Sequence, residues 1–366
     1  MKKIKYVFLI VLFSLSGLFA MDKVFEKGFD LFYNYHFNEA ETYFKDQIKD
    51  SKDPFPYYAF LSYLGIRSDM ANARYEDAMA NANRMIKIYT PVFESYLQSS
   101  PEDIDAQFSY TVLLAGKMRI YLNKMEYMKI MKGAPKILGK KVTIDRYTKK
   151  DFAEMDFGTG AFDYYLSVLG GNYGMSNLFS NSKSDGIRDL WSAYKNAEYT
   201  RWEAAIVLMY VYIYDKMDYE QCAQLCDEFL AKYPDNLEVL AIAAECDYYR
   251  AKWNEGDNHK RHITKLLKHG LLDDDRGWKA RLNYVEGVRA MLKEDHIEAL
   301  DYFNTVYEMD AIEYSWYRSI VLKYTGDVYL KMGLVRTAKL YYEQTVNSLE
   351  ISPHVREAKD ILKSLK

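Results

Sequence analysis

Residues 287–303 read GVRAMLKEDHIEALDYF, and residues 326–342 read GDVYLKMGLVRTAKLYY. Each stretch opens on a glycine, carries an alanine twelve positions later and an aromatic sixteen positions later. The trios are Gly287, Ala299, Phe303 and Gly326, Ala338, Tyr342. Residues 28–44, GFDLFYNYHFNEAETYF, repeat the spacing with Gly28, Ala40 and Phe44. Glycine on one helix and alanine on the next let two helices approach, and the aromatic fills the space beyond them. Such spacing marks a helix–turn–helix unit of about 34 residues. Units of this kind stack into a solenoid, each covering its neighbour's apolar face. The fold predicted is all-α, a solenoid of stacked helical hairpins.

Working outward, residues 203–234 form a further unit, with Tyr219, Cys222, Cys226 and Phe229 in the packing positions and Pro234 closing it. Residues 56–89 are a looser unit, with Tyr75, Ala78 and Ala82 on its second helix and Ile66 in place of the glycine. Pro101, behind the capping residues Ser99 and Ser100, opens a long helix to about Lys132. Residues 237–267 are a degenerate pair. Residues 353–366 read as a terminal helix, and an open solenoid end requires such a cover.

Between Gly133 and Thr200 the spacing breaks. Residues 133–150, GAPKILGKKVTIDRYTKK, read as an irregular basic stretch, because glycine and proline stop helices. A helix is expected over 156–169, a Gly/Ser/Asn-rich loop over 170–186, and a helix over 184–197 with Ile187, Leu190 and Tyr194 on one face. The division is therefore a leader at 1–20, helical repeats at 21–132, a central insertion at 133–200, and further repeats with a capping helix at 201–366.

The repeat spacing resembles that of tetratricopeptide repeat (TPR) proteins over most of the chain. The middle segment resembles a bacterial exported subgroup, through Phe157, Gly158, Gly160, Tyr164, Tyr165, Ser167 and Leu169, followed by Gly186, Ile187 and Leu190. That resemblance implies an exported repeat protein and gives no activity. Chaperone-binding TPR domains grip a peptide carboxylate with Lys and Asn on the first helix of a repeat. The matching positions here are Lys323 and Asp327, Tyr284 and Val288, and Phe25 and Phe29. An aspartate repels a carboxylate and aromatics cannot clamp one, so that mode is disfavoured.

The first twenty residues carry Lys2, Lys3 and Lys5, an apolar run from Tyr6 to Phe19, and Ala20 at a cleavage position. This is the pattern of a secretory signal peptide. The apolar run is shorter than the roughly 20 residues that cross a bilayer. The lysine-, isoleucine- and tyrosine-rich start suggests a bacterial chain that is periplasmic or secreted, or anchored in the inner membrane if the leader stays. No stable membrane span is expected after cleavage. The chain has 49 Lys+Arg and 52 Asp+Glu. Without the three leader lysines the balance is 46 to 52, or −6. That acidity gives no support for nucleic-acid binding.

No motif calls for a cofactor or a metal. Phe157 to Gly160 superficially resembles a phosphate loop but lacks the rest of any fingerprint, and close helix packing explains it. His259, His262 and His269 sit among lysines and arginines that repel a cation. Cys222 and Cys226 lie four apart on one helix, a separation unsuited to a disulfide, so they read as buried thiols; a bridge from Cys246 stays open.

The expected function is an exported, non-catalytic scaffold in the bacterial envelope. Its first helices would form a groove for another protein or peptide, with Phe25, Phe29, Phe32, Tyr33, Tyr284 and Met291 as candidate contacts. Ordinary core packing accounts for the same residues. The alternative is a ligand-binding accessory of a periplasmic uptake system, which a closed apolar tunnel through the solenoid would favour. An enzyme would need a deep polar pocket with facing acids near residues 133–200.

Overall fold

A computed structural model of the chain describes residues 23–124, 126–148, 152–173, 182–309, 315–348 and 352–365. The proposed leader and residues 174–181 of the Gly/Ser/Asn-rich loop lie outside them, while residues 170–173 and 183–186, expected in that loop, are helical. Seventeen α-helices run through the described residues, and no strand does. They pair as α1 (Lys23–Tyr33) with α2 (Phe37–Asp50), α3 (Phe55–Ala71) with α4 (Tyr75–Ser99), and α5 (Ile104–Asn123) with α6 (Tyr127–Tyr147). Next come α7 (Glu154–Tyr173) with α8 (Lys183–Asn196), and α9 (Arg201–Val211) with α10 (Tyr219–Lys232). A π-helical turn, Tyr212–Lys216, extends α9. The last pairs are α11 (Leu237–Tyr249) with α12 (Trp253–Lys268), α13 (Arg276–Leu292) with α14 (His296–Glu308), and α15 (Ser315–Lys331) with α16 (Val335–Asn347). A single helix, α17 (Pro353–Ser364), closes the chain. None of the described helices is long and apolar enough to cross a membrane.

The repeat spacing does what its residue types require. A Cβ at Gly28 would fall 2.2 Å from Phe44 Cζ, one at Gly287 2.4 Å from Phe303 Cε1, and one at Gly326 2.7 Å from Tyr342 Cε1. All three aromatics are buried. The degenerate pair α11/α12 inverts the device: the glycine, Gly256, sits on the second helix and faces Tyr248 on the first.

The hairpin turns share a second rule. Tyr35, Ala73, Met217, Ala251, Glu294 and Gly333 all have left-handed backbone, and each lies two residues before the second helix of its hairpin. The next amide folds back on the first helix, as in His36 N–H to Leu31 O (2.9 Å), Lys252 to Asp247 (2.8 Å) and Asp295 to Ala290 (3.0 Å). This is the Schellman closure, which satisfies carbonyls that a helix end leaves free. Five of the six residues are not glycine.

Two local expectations change. Residues 133–147 are helical, not irregular: α6 runs through Gly133 and Pro135 and packs along α5. Gly133 permits that approach, because a Cβ there would meet Met118 at 2.5 Å. The long helix before it starts at Ile104 rather than Pro101 and ends at Asn123; Asp103 caps it by accepting from Ala106 N–H at 2.9 Å. The region read as an insertion thus supplies α6, α7 and α8, and α7 and α8 form a hairpin of their own.

The solenoid coils back on itself. Asn236 donates to the carbonyl of Tyr33 at 2.7 Å, and Asn34 accepts from Asp235 N–H at 3.0 Å. Asn72 accepts from the amides of Asp273 and Asp274. The first two hairpins are thereby stitched to the turns around α11 and α13. At the far end α17 packs on α15 and α16 and also on α7 and the π-turn. The cap therefore covers the last repeat and bridges to the middle of the chain.

Candidate functional site

Coiling turns what would be an open groove into an interior lumen. Its volume is about 430 Å³. Phe29, Phe32 and Tyr33 of α1 form one wall, and Phe60 and Tyr63 of α3 extend it. Val112, Ala115 and Met118 of α5, Ile130 and Ile137 of α6, and Phe157, Ala161 and Tyr165 of α7 form the others. Ile206 and Tyr210 of α9 and His354 of α17 complete it. A space of about 430 Å³ falls in the roughly 300–1,000 Å³ range of small-molecule sites.

One end of the lumen is closed by a buried ion network joining both halves of the chain. Arg119 of α5 reaches Glu203 of α9 at 2.6 Å and the hydroxyl of Tyr63 at 2.9 Å. Arg67 of α3 reaches Glu238 of α11 at 3.0 Å, and Tyr210 donates to the other oxygen of Glu238 at 3.0 Å. Burial pushes the Glu203 carboxyl up, but Arg119 and Arg67 overcome it and hold the group below its ordinary range. Two arginines balance two glutamates, so the network carries no net charge.

Two further buried acids are held differently. Glu154, at the start of α7, accepts from the amides of Glu198, Tyr199 and Thr200 and from the Thr200 hydroxyl. It thus caps the entry to α9. Glu245 accepts from Tyr284 at 2.6 Å, Tyr214 at 2.7 Å and Arg281 at 3.2 Å. Burial raises both carboxyls against these donors. Glu154 is the acid that residues 133–200 contribute to the lumen wall, and its oxygens are taken up by those donors. The neighbouring carboxylate of that region is Glu198, which burial and then the Glu154 charge push up.

The six candidate contact residues do not stay together. Phe29, Phe32 and Tyr33 line the lumen. Phe25 stacks on Tyr57 at 4.6 Å in the core, Tyr284 is fully buried on Glu245, and Met291 is buried in the apolar core. Over α1, Tyr199 packs against Phe25 and Phe29, and Tyr233 lies 4.8 Å from Tyr33. The residues of α5 and α7, which supply nearly half of the lumen lining, were missed. A usable signal exists for α5: its buried residues fall on nearly every face, which marks a helix covered on both sides.

Other sequence features find local roles. Lys323 pairs with Asp327 at 2.8 Å and with Glu357 of α17 at 2.9 Å, so it is held by the cap rather than presented to a peptide. His262 pairs with Asp235, His259 with Asp247, and His269 with the carbonyl of Lys265. Among the described residues, no cluster of three or more His, Cys, Asp or Glu stands close enough to hold a metal. Cys222, Cys226 and Cys246 are buried free thiols, and burial raises the Cys226 thiol.

Neither a protein-family model nor a curated protein matches the chain. Among solved structures it is similar to the TPR domain of P58(IPK), with 14% identity, 94% of this chain and 97% of that one covered, and a TM-score of 0.24. The TPR-type character of this chain rests on its own geometry: glycine against aromatic in repeated hairpins, stacked into an all-α solenoid.

Proposed function

We propose that this chain is an exported, non-catalytic TPR-type protein that works by binding, and that its binding compartment is the lumen. The observation that carries this reading is the apolar space of about 430 Å³ walled by helices from both ends of the chain. It favours a ligand-binding accessory of a periplasmic uptake system, since a deep, mostly apolar pocket of this volume suits a small ligand better than a passing peptide. The buried acids support a non-catalytic role, because each already accepts from arginines, tyrosines or amides.

A scaffold role toward another envelope protein has one observation in its favour. Met128, Met131, Leu138 and Val142 are exposed in a row along α6, with Met128 70% and Val142 61% accessible. In-cell cross-linking from α6 tests that role, and a dominant protein partner lost on Met128→Lys plus Val142→Lys supports it. The ligand reading is tested by thermal shift on delipidated protein. Apolar molecules at about 100 times their Kd should stabilise it by about 2.7 kcal/mol. If polar solutes stabilise it and apolar ones do not, the lumen is not the site.

A further inference from the structure

Beside the ion network lies a second, smaller space of about 90 Å³. It shares Arg119, Asn123, Tyr210 and Glu238 with the lumen wall. Its chemistry is more polar than the lumen's: Arg67, Arg119, Arg281 and Glu238 line it, with Arg119 paired to Glu203 and Arg281 to Glu245. Glu238 already accepts from Arg67 Nη2 and from the Tyr210 hydroxyl. Two donors are left over. Arg67 is 93% buried, yet its Nη1 has no hydrogen-bond partner, the nearest oxygen of Glu203 standing 3.6 Å away. The indole Nε1 of Trp278 is also buried without a partner. A buried donor left unmade is costly, and a guanidinium donor more so. Two orphan donors on one small space call for an acceptor.

The adjoining lumen sets the rest of the ligand. It follows α5 from Phe108 to Asn123, fifteen steps of about 1.5 Å, or about 22 Å. A volume of 430 Å³ spread over that length is long and narrow. It suits an unbranched apolar chain better than a fused ring system.

We propose that the two spaces together hold a single-chain amphipath, a long-chain carboxylic acid, with its chain in the lumen and its carboxylate accepting from Arg67 Nη1 and Trp278 Nε1. This inference rests on the lumen being the binding compartment. Arg67 Nη2 stays on Glu238, so the carboxylate takes one charge-assisted hydrogen bond from Nη1 and one hydrogen bond from the indole. The ion network stays intact in the complex, since both glutamates keep their present donors.

The test uses full-chain protein stripped of bound lipid. The neutral, rod-shaped fluorophore 1,6-diphenyl-1,3,5-hexatriene reports the lumen, and palmitate and hexadecanol compete for it. Wild type should bind the fluorophore, and palmitate should displace it at least tenfold better than hexadecanol. Trp278→Phe keeps the ring and removes one donor. It should leave fluorophore binding unchanged and weaken palmitate about tenfold, the scale of a charge-assisted hydrogen bond. Ala115→Trp fills the lumen and should abolish both. If wild type binds no fluorophore, the lumen reading itself falls, and this inference with it. If palmitate and hexadecanol compete equally and Trp278→Phe changes neither, the head-group site is overturned while the lumen stands. An alkyl phosphate that outcompetes palmitate also overturns the carboxylate assignment.

Discussion

Hairpins α13/α14 and α7/α8 solve the same problem with different materials. In α13/α14 the helices meet through a ring: Phe303 fills the hollow over Gly287. In α7/α8 they meet backbone to backbone. A Cβ at Gly186 would lie 2.6 Å from Tyr164 N and 2.8 Å from Gly160 O, and one at Gly160 would lie 2.8 Å from Leu190 N. A ring can tilt or be replaced, whereas a backbone cannot withdraw without moving the helix. The first contact is a repeatable module and recurs along the chain. The second is a unique joint, placed where α7 both walls the lumen and receives the cap helix α17.

The largest effect is therefore expected at the joint. Gly186→Ala should destabilise by about 3 kcal/mol or more, the upper end for forced overpacking. Chemical denaturation measures it, and no side-chain change on α7 should rescue it. Gly287→Ala should cost about 1–3 kcal/mol, and Phe303→Leu in the same chain should recover part of the loss. Equal losses, or rescue at both sites, would erase the distinction between module and joint.

The cap is a third kind of contact, held by charge. Burial raises the Glu357 carboxyl, but His354 and Lys323 overcome it and hold the group at about 2 against an ordinary 4.5. A carboxyl lowered on folding adds stability that is present above its unfolded value and is lost as pH falls through the folded one. Amide-exchange protection of α17, taken relative to the intrinsic rate at each pH, should therefore fall between about pH 4.5 and pH 2 before that of α13. Glu357→Gln should remove this pH dependence. The smallest effect belongs to the turns. Left-handed backbone costs an ordinary residue about 1 kcal/mol, so Glu294→Gly should raise stability by up to that amount. At Gly333 the turn already has its glycine, and Gly333→Ala should lower stability by a similar amount.

These contacts also explain what the sequence made readable. Gly28, Gly287 and Gly326 each need a partner of fixed type at fixed spacing, so the hairpins appear as a period. Gly160 and Gly186 need only each other, and their separation is set by a loop rather than by a repeat. The turns at Tyr35, Ala73 and Glu294 left no trace, because the Schellman closure overrides the residue's own preference. Gly133 and Pro135 misled the reading of α6, where packing on Met118 outweighs poor helix propensity. The lumen was the least readable feature. Phe29, Phe32 and Tyr33 look alike whether they face a core or a cavity, and only the return of α9, α11 and α17 decides which.

The most direct measurement is native mass spectrometry of the full chain purified without detergent, alongside Ala115→Trp. The expected result is a small apolar adduct on the wild type that delipidation removes and that Ala115→Trp does not carry. Bare masses for both, or the same adduct on both, would contradict a lumen that binds.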